Sequence, residues 1–137
     1  MYHLINEKNI DLLTQFIEKS HSKTFRYYET RSVEIIKNHI VTLIVTNDNN
    51  NDIVGYGHLD FENCVWLGIC VLEKYRGRGF GNKIMEKLIE KARENEIGEI
   101  HLTVDKENII AKKLYEKFYF EVIKESETFY RMKRNKL

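Results

Sequence analysis

The stretch "YRGRGFGNK", residues 75–83, decides the fold. It sets three glycines and two arginines between an apolar run, residues 65–72, and a segment of helical periodicity. In that segment Phe80, Ile84, Met85, Leu88, Ile89 and Ala92 form one apolar stripe at helical spacing. A strand that feeds a helix through such a turn leaves the first helical N–H groups without intrahelical partners. Those groups carry partial positive charge, the glycines remove the Cβ atoms that would fend off a ligand, and Arg76 and Arg78 add charge. A pyrophosphate can rest there on backbone alone. The same residues also suit a flexible connection with solvated arginines.

Two other glycine-rich loops do not fit. A Walker A loop ends in Gly-Lys-Ser/Thr, whereas Gly81 is followed by Asn82, Lys83 and Ile84. A dinucleotide fingerprint spaces its glycines as G-x-G-x-x-G at the start of a βαβ unit. Here Gly77, Gly79 and Gly81 are one residue too tight and fall in mid-chain.

Working outward, residues 9–19 place Ile10, Leu13, Phe16 and Ile17 on one helical face, and residues 32–39 read as a second helix. "IVTLIVT" (40–46), "IVGYGHLDFEN" (53–63) and "CVWLGICVL" (64–72) read as strands, the first two joined by the Asn/Asp turn of residues 46–52. After the glycine turn and its helix come a strand (99–104), a helix (107–119) and two paired strands. The order αα-βββ-α-β-α-ββ predicts an α/β (α+β) fold: a central, mostly antiparallel mixed sheet of about six strands flanked by about four helices. Residues 1–137 read as a single domain, long enough for a real core.

Bulk properties narrow the function classes. Twenty-two basic residues stand against 21 acidic ones, a net charge of +1, with no basic stripe, which argues against a nucleic-acid partner. No run approaches the roughly 20 apolar residues of a membrane span, and "MYHLINEKNI" lacks the apolar core of a secretory signal. Cys64 and Cys70 share one predicted strand, roughly 20 Å apart at about 3.3 Å per residue, too far to bridge. A reduced, cytoplasmic protein is the expectation. His58, His101, Cys64 and Cys70 have no chelating spacing, so no metal is expected.

Residues 71–81, "VLEKYRGRGFG", resemble the acyl-CoA-binding motif of the GNAT superfamily of N-acyltransferases, with Arg76, Gly79 and Gly81 at its defining positions. Asn108, Ala111, Leu114, Tyr115 and residues 118–120, "FYF", resemble the family pattern Asn-x-x-Ala-x-x-Leu-Tyr-x-x-x-Gly-Phe. The resemblance spans about residues 40–133. One position departs: Tyr119 stands where the pattern has glycine, and a tyrosine there implies a different helix cap.

The resemblance implies acetyl-CoA as donor, a primary amine as acceptor, and direct attack in a ternary complex. By similarity, backbone N–H groups of Arg76, Gly77, Arg78, Gly79 and Gly81 would hold the CoA pyrophosphate. The N–H of Ile69 would polarise the thioester carbonyl, and Val71 would pair with the pantetheine arm. Tyr115 would give a proton to the departing sulfur, since a phenol near pKa ~10 stays protonated at neutral pH; packing in the apolar stripe is the alternative. Asn108 would touch the pantetheine or cap its helix. For the base, His58, Asp60 and Glu62 share one strand face. His58 is the natural choice, with Asp60, Glu62 and His101 as alternatives and a solvated strand face as the plain reading.

For the acceptor, Phe25, Arg26 and Tyr27, with Lys23, Tyr28 and Arg31, suit rings that carry phosphate or carboxylate. An amino-sugar nucleotide or another anionic metabolite fits, and so does a loop whose aromatics cap the core. A non-catalytic acyl-CoA-sensing domain and a protein N-acetyltransferase are the competing functions. The protein is expected to act as monomer or homodimer, without nucleic acid or membrane.

Overall fold

The computed structural model describes residues 1–20 and 25–135. Seven strands form one sheet: β1 (Tyr2–Leu4), β2 (His39–Thr46), β3 (Ile53–Glu62), β4 (Cys64–Val71), β5 (Ile100–Asp105), β6 (Glu121–Glu125) and β7 (Phe129–Arg134). Their spatial order is β1-β2-β3-β4-β5-β7-β6. All neighbours are antiparallel except β4 and β5, which run parallel. The helices are α1 (Ile10–Lys19), α2 (Phe80–Glu94) and α3 (Ile109–Lys117).

Alternation along the strands sends side chains to two faces. On one face Leu43, Leu59, Leu67, Leu102 and Met132 join the α2 stripe of Ile84, Met85, Leu88 and Ile89 in the larger core. On the other, Ile44, Tyr56 and Cys70 pack with Leu13 and Phe16 of α1 in a smaller one. That second face also carries His58 and Asp60.

Two expectations are corrected. The predicted second helix is a six-residue 3-10 segment, Val33–Asn38. Three of its residues, Val33, Ile35 and Ile36, are β-branched, which lowers α-helix propensity, and His39 is already drawn into β2. A strand too short to signal itself, β1, adds to the sheet edge through Tyr2↔Val45, His3↔Ile44 and Leu4↔Leu43.

The departure at Tyr119 does not change the cap. Tyr119 takes the left-handed conformation itself, at φ 69°. Its N–H donates to Glu116 O, and that of Phe120 to Tyr115 O, the two bonds of a Schellman motif. Glu96, at φ 57°, ends α2 in the same way: its N–H donates to Arg93 O and that of Ile97 to Ala92 O.

Candidate active site

The site begins where the sheet splits. β4 and β5 pair at one position, Trp66↔His101, among the described residues. Beyond it the strands diverge, and a cleft of about 1220 Å³ opens between them. The register of β3 and β4 shows which backbone groups face it. Leu72 N–H donates to Val54 O on β3. N–H direction alternates along a strand, so Cys70 and Gly68 also turn toward β3. Ile69 and Val71 turn toward the gap, and both line it.

The glycine turn closes one end of the cleft. Gly77 and Gly79 adopt φ 77° and 85°, and a Cβ built on either meets nothing within 4 Å. Conformation, not crowding, therefore requires glycine there, and the space outside the turn is open. Gly79 starts α2 with no side-chain cap, which leaves the first N–H groups of the helix for a ligand. Gly81 serves packing instead: its Cβ would stand 3.1 Å from Leu114 of α3. Arg76 Nε donates to Val71 O at 3.0 Å, across the free end of β4, and the Arg78 guanidinium lies 5.5 Å from the Tyr75 ring centre. An open cradle with unused amides and two guanidinium groups fits a diphosphate.

Tyr115 reaches the cleft from α3. It is buried and packs against Phe120, the contact that accompanies the Schellman cap. Burial, and then the neighbouring Cys70, push its phenol well above the ordinary range, so it keeps its proton at neutral pH. Cys70 is itself held up by burial and stays a thiol. Asn108 caps α3 by accepting from Ala111 N–H at 3.2 Å, and it lines the cleft as well.

On the far side of β4, His58 and Asp60 are 2% and 6% exposed, so their face is not a solvated one. Two hydrogen-bonded chains hold them. Tyr28, Tyr56 and His58 Nδ1 are linked at 2.7 and 2.5 Å. Asp60 Oδ2 accepts from Tyr27 at 2.8 Å, Tyr27 meets His39 Nε2 at 2.8 Å, and His39 Nδ1 meets Thr42 at 2.6 Å. Because an ionised Asp60 only accepts, Tyr27 must donate to it. His39 Nε2–H then donates to Tyr27, and Thr42 donates to His39 Nδ1. Burial lowers His39 to about 4, aided by the charge of Arg31, and drives His58 well below the usual imidazole range. Burial raises Asp60 despite the hydrogen bond from Tyr27.

Gly68 makes room for this arrangement. It is the cross-strand partner of His58, and a Cβ there would stand 2.6 Å from His58 Cε1 and 2.9 Å from Nε2. Glycine inside an apolar strand marks such a close approach, the one sign of it visible in the chain. His39 had no such signal, lying at the end of a stretch that reads as helix.

Residues expected to bind the acceptor divide. Tyr27 lies in the Asp60 chain. Phe25 lines the cleft and packs on Phe16 and Tyr56. The Arg26 guanidinium forks onto Asp105 at 3.2 and 3.4 Å, tying the segment after α1 to the end of β5. Arg31 lies 4.3 Å from the Tyr27 ring centre, and Lys23 lies outside the described residues. Glu62 lines the cleft but is exposed. His101 is held apart, between Glu99 and Arg131. Among the described residues no metal-binding group forms, and no helix is long and apolar enough to cross a membrane.

Comparison with known proteins agrees with this architecture. The chain is 40% identical over 80 residues to the uncharacterized N-acetyltransferase YobR of Bacillus subtilis (strain 168). That match covers 58% of the chain and 29% of YobR, so it spans under a third of the relative's length. The fold matches an acetyltransferase of the GNAT family from Streptococcus pneumoniae, with a TM-score of 0.82, 18% identity, and 100% and 99% of the two chains covered. It also matches yncA of Salmonella typhimurium, solved with its cofactor acetyl-CoA, with a TM-score of 0.75, 15% identity, and 98% and 92% covered. Residues 7–120 match the model of the Acetyltransferase (GNAT) family, and the chain belongs to that family.

Proposed function

We propose that the protein is an acetyl-CoA-dependent N-acetyltransferase that acylates a primary amine of a small acceptor by direct attack in a ternary complex. The observation that carries this reading is the free edge of β4 leading into the glycine turn, with Tyr115 on one side and His58 on the other. Acetyl-CoA supplies the thioester. The amides of residues 77–81 would hold its diphosphate, the Arg76 N–H being given to Glu73 O at 3.2 Å, and Val71 would pair with its pantetheine arm. The N–H of Ile69 would face the thioester oxygen, where a fixed donor favours developing charge.

The amine nitrogen attacks the carbonyl carbon and the C–S bond breaks. The nitrogen's proton passes to His58 Nε2, and the sulfur leaves with the phenolic proton of Tyr115. Nε2 is free to accept when Nδ1–H donates to Tyr56 and Tyr56 donates to Tyr28. Depressed by burial, His58 is neutral at pH 7 and ready for this step. Asp60, two residues along β3, holds Tyr27 and faces a part of the acceptor away from the reacting nitrogen.

The test is thiol release from acetyl-CoA with a panel of amines, for the wild type and Tyr115→Phe. The expected result is a kcat lower by roughly 100-fold with acetyl-CoA affinity retained. Equal rates would remove the acid role. Tight acetyl-CoA binding without turnover of any amine would leave a sensing domain instead.

A further inference from the structure

Among the described residues, two buried side-chain polar atoms lack a hydrogen-bond partner: Asp60 Oδ1, an acceptor, and Arg131 Nε, a donor. Both belong to neighbours of Trp66. Asp60 is the cross-strand partner of Trp66, and the Arg131 guanidinium carbon lies 4.8 Å from the Trp66 ring centre. Trp66 and Thr103, the strand partner of Arg131, both line the cleft, as does Asp60. Orphaned buried groups are costly to a fold unless a ligand uses them.

The neighbours of each group fix what is left over. Tyr27 occupies Asp60 Oδ2, so Oδ1 is the free oxygen of a carboxylate that lines the cleft. Arg131 gives Nη2 to His101 Nδ1 at 3.1 Å, and His101 Nε2–H donates to Glu99 at 2.6 Å. The guanidinium thus meets a ring nitrogen and an indole face, and its Nε has no partner. Arg26, by contrast, is already claimed by Asp105.

Position along the strands sets the length of the ligand. His58 faces Gly68, next to Ile69, while Asp60 faces Trp66. The two levels are two residues, or roughly 7 Å, apart. Resting on the transferase reading above, we infer that the acceptor is a diamino acid. Its side-chain amine lies at His58 and is acylated. Its α-ammonium binds Asp60, and its α-carboxylate binds Arg131 across Trp66. A chain of three or four methylenes spans the interval.

The experiment measures kcat/KM at saturating acetyl-CoA for four probes: lysine, 1,5-diaminopentane without the carboxylate, 6-aminohexanoate without the α-amine, and pentylamine without either. Lysine should exceed each single-deletion probe by about 10- to 100-fold, the effect of a lost charge-assisted hydrogen bond. Arg131→Gln should bring the ratio of lysine to 1,5-diaminopentane near one. Asp60→Asn should do the same for lysine against 6-aminohexanoate. If Asp60→Asn does not fold, the probe series and Arg131→Gln decide. Equal kcat/KM for lysine and pentylamine, or ratios untouched by Arg131→Gln, would overturn the assignment. Should no amine be acylated although acetyl-CoA binds, the transferase reading fails, and calorimetry of lysine on the CoA-loaded protein tests the site alone. Binding weakened at least about 10-fold by Arg131→Gln supports it, and no binding overturns it.

Discussion

Replacing Gly68 with alanine tests how His58, the proposed base, is held. The new Cβ would sit 2.6 Å from His58 Cε1, where ordinary contact begins at 3.4 Å. The imidazole has little room to yield. It is 2% exposed, its ring centre is 4.4 Å from that of Tyr27 and 4.7 Å from that of His39, and Nδ1 is tied to Tyr56. Overpacking of this kind costs about 1–3 kcal/mol, and loss of the Tyr56 bond adds about 1 kcal/mol. At about 2.1 cal/mol/K of unfolding entropy per residue, a chain of this size loses about 7–14 °C in Tm for a total of 2–4 kcal/mol. A displacement of about 1 Å at a reacting group costs on the order of 100-fold in rate. Thermal melts and thiol-release kinetics measure both effects. In a His58→Ala background the space is free, and Gly68→Ala should cost under about 1 kcal/mol. An equal cost in both backgrounds, or a Gly68→Ala variant with wild-type stability and rate, would refute the steric account.

Tyr119→Gly should stabilise the protein. It relieves about 1–2 kcal/mol of left-handed strain against about 0.5–1 kcal/mol of glycine entropy, and Tyr119 is 66% exposed, so little packing is lost; a Tm raised by about 2–4 °C, with kcat unchanged, is expected. Gly79→Ala, which must adopt φ 85° beside the cradle, should weaken CoA binding at least about 10-fold by calorimetry. Stability should fall as pH drops from about 6.5 toward 4. In that window the unfolded chain binds protons at His39 and His58 that the fold refuses. Asp60, raised in the fold, opposes them, but two histidines outweigh one carboxylate. Urea midpoints at pH 7 and 5 check the sign, and His39→Gln should flatten the slope.

Local pattern carried the α/β architecture, the glycine turn and the α2 stripe, because periodicity and turn chemistry are written within a dozen residues. The parity of β3 likewise put His58 and Asp60 on one face from the alternation of "GHLDFE" alone. The 3-10 segment before β2 was misread because its apolar spacing imitates a helix and only the pull of the sheet shortens it. The cap at Tyr119 was misread because one residue's φ depends on what the chain does after it.

The order of the main strands and helices and the glycine turn between β4 and α2 were thus determined by the chain itself, since each rests on neighbours in sequence. What shares the cleft was decided by the tertiary structure. Tyr27 meets Asp60, Arg26 meets Asp105 and Arg131 covers Trp66 across separations of 33, 79 and 65 residues. Sheet order, with β7 inserted between β5 and β6, and the divergence of β4 from β5 create those encounters. A burial that shifts the proton affinity of His58 exists only once distant segments have closed over it.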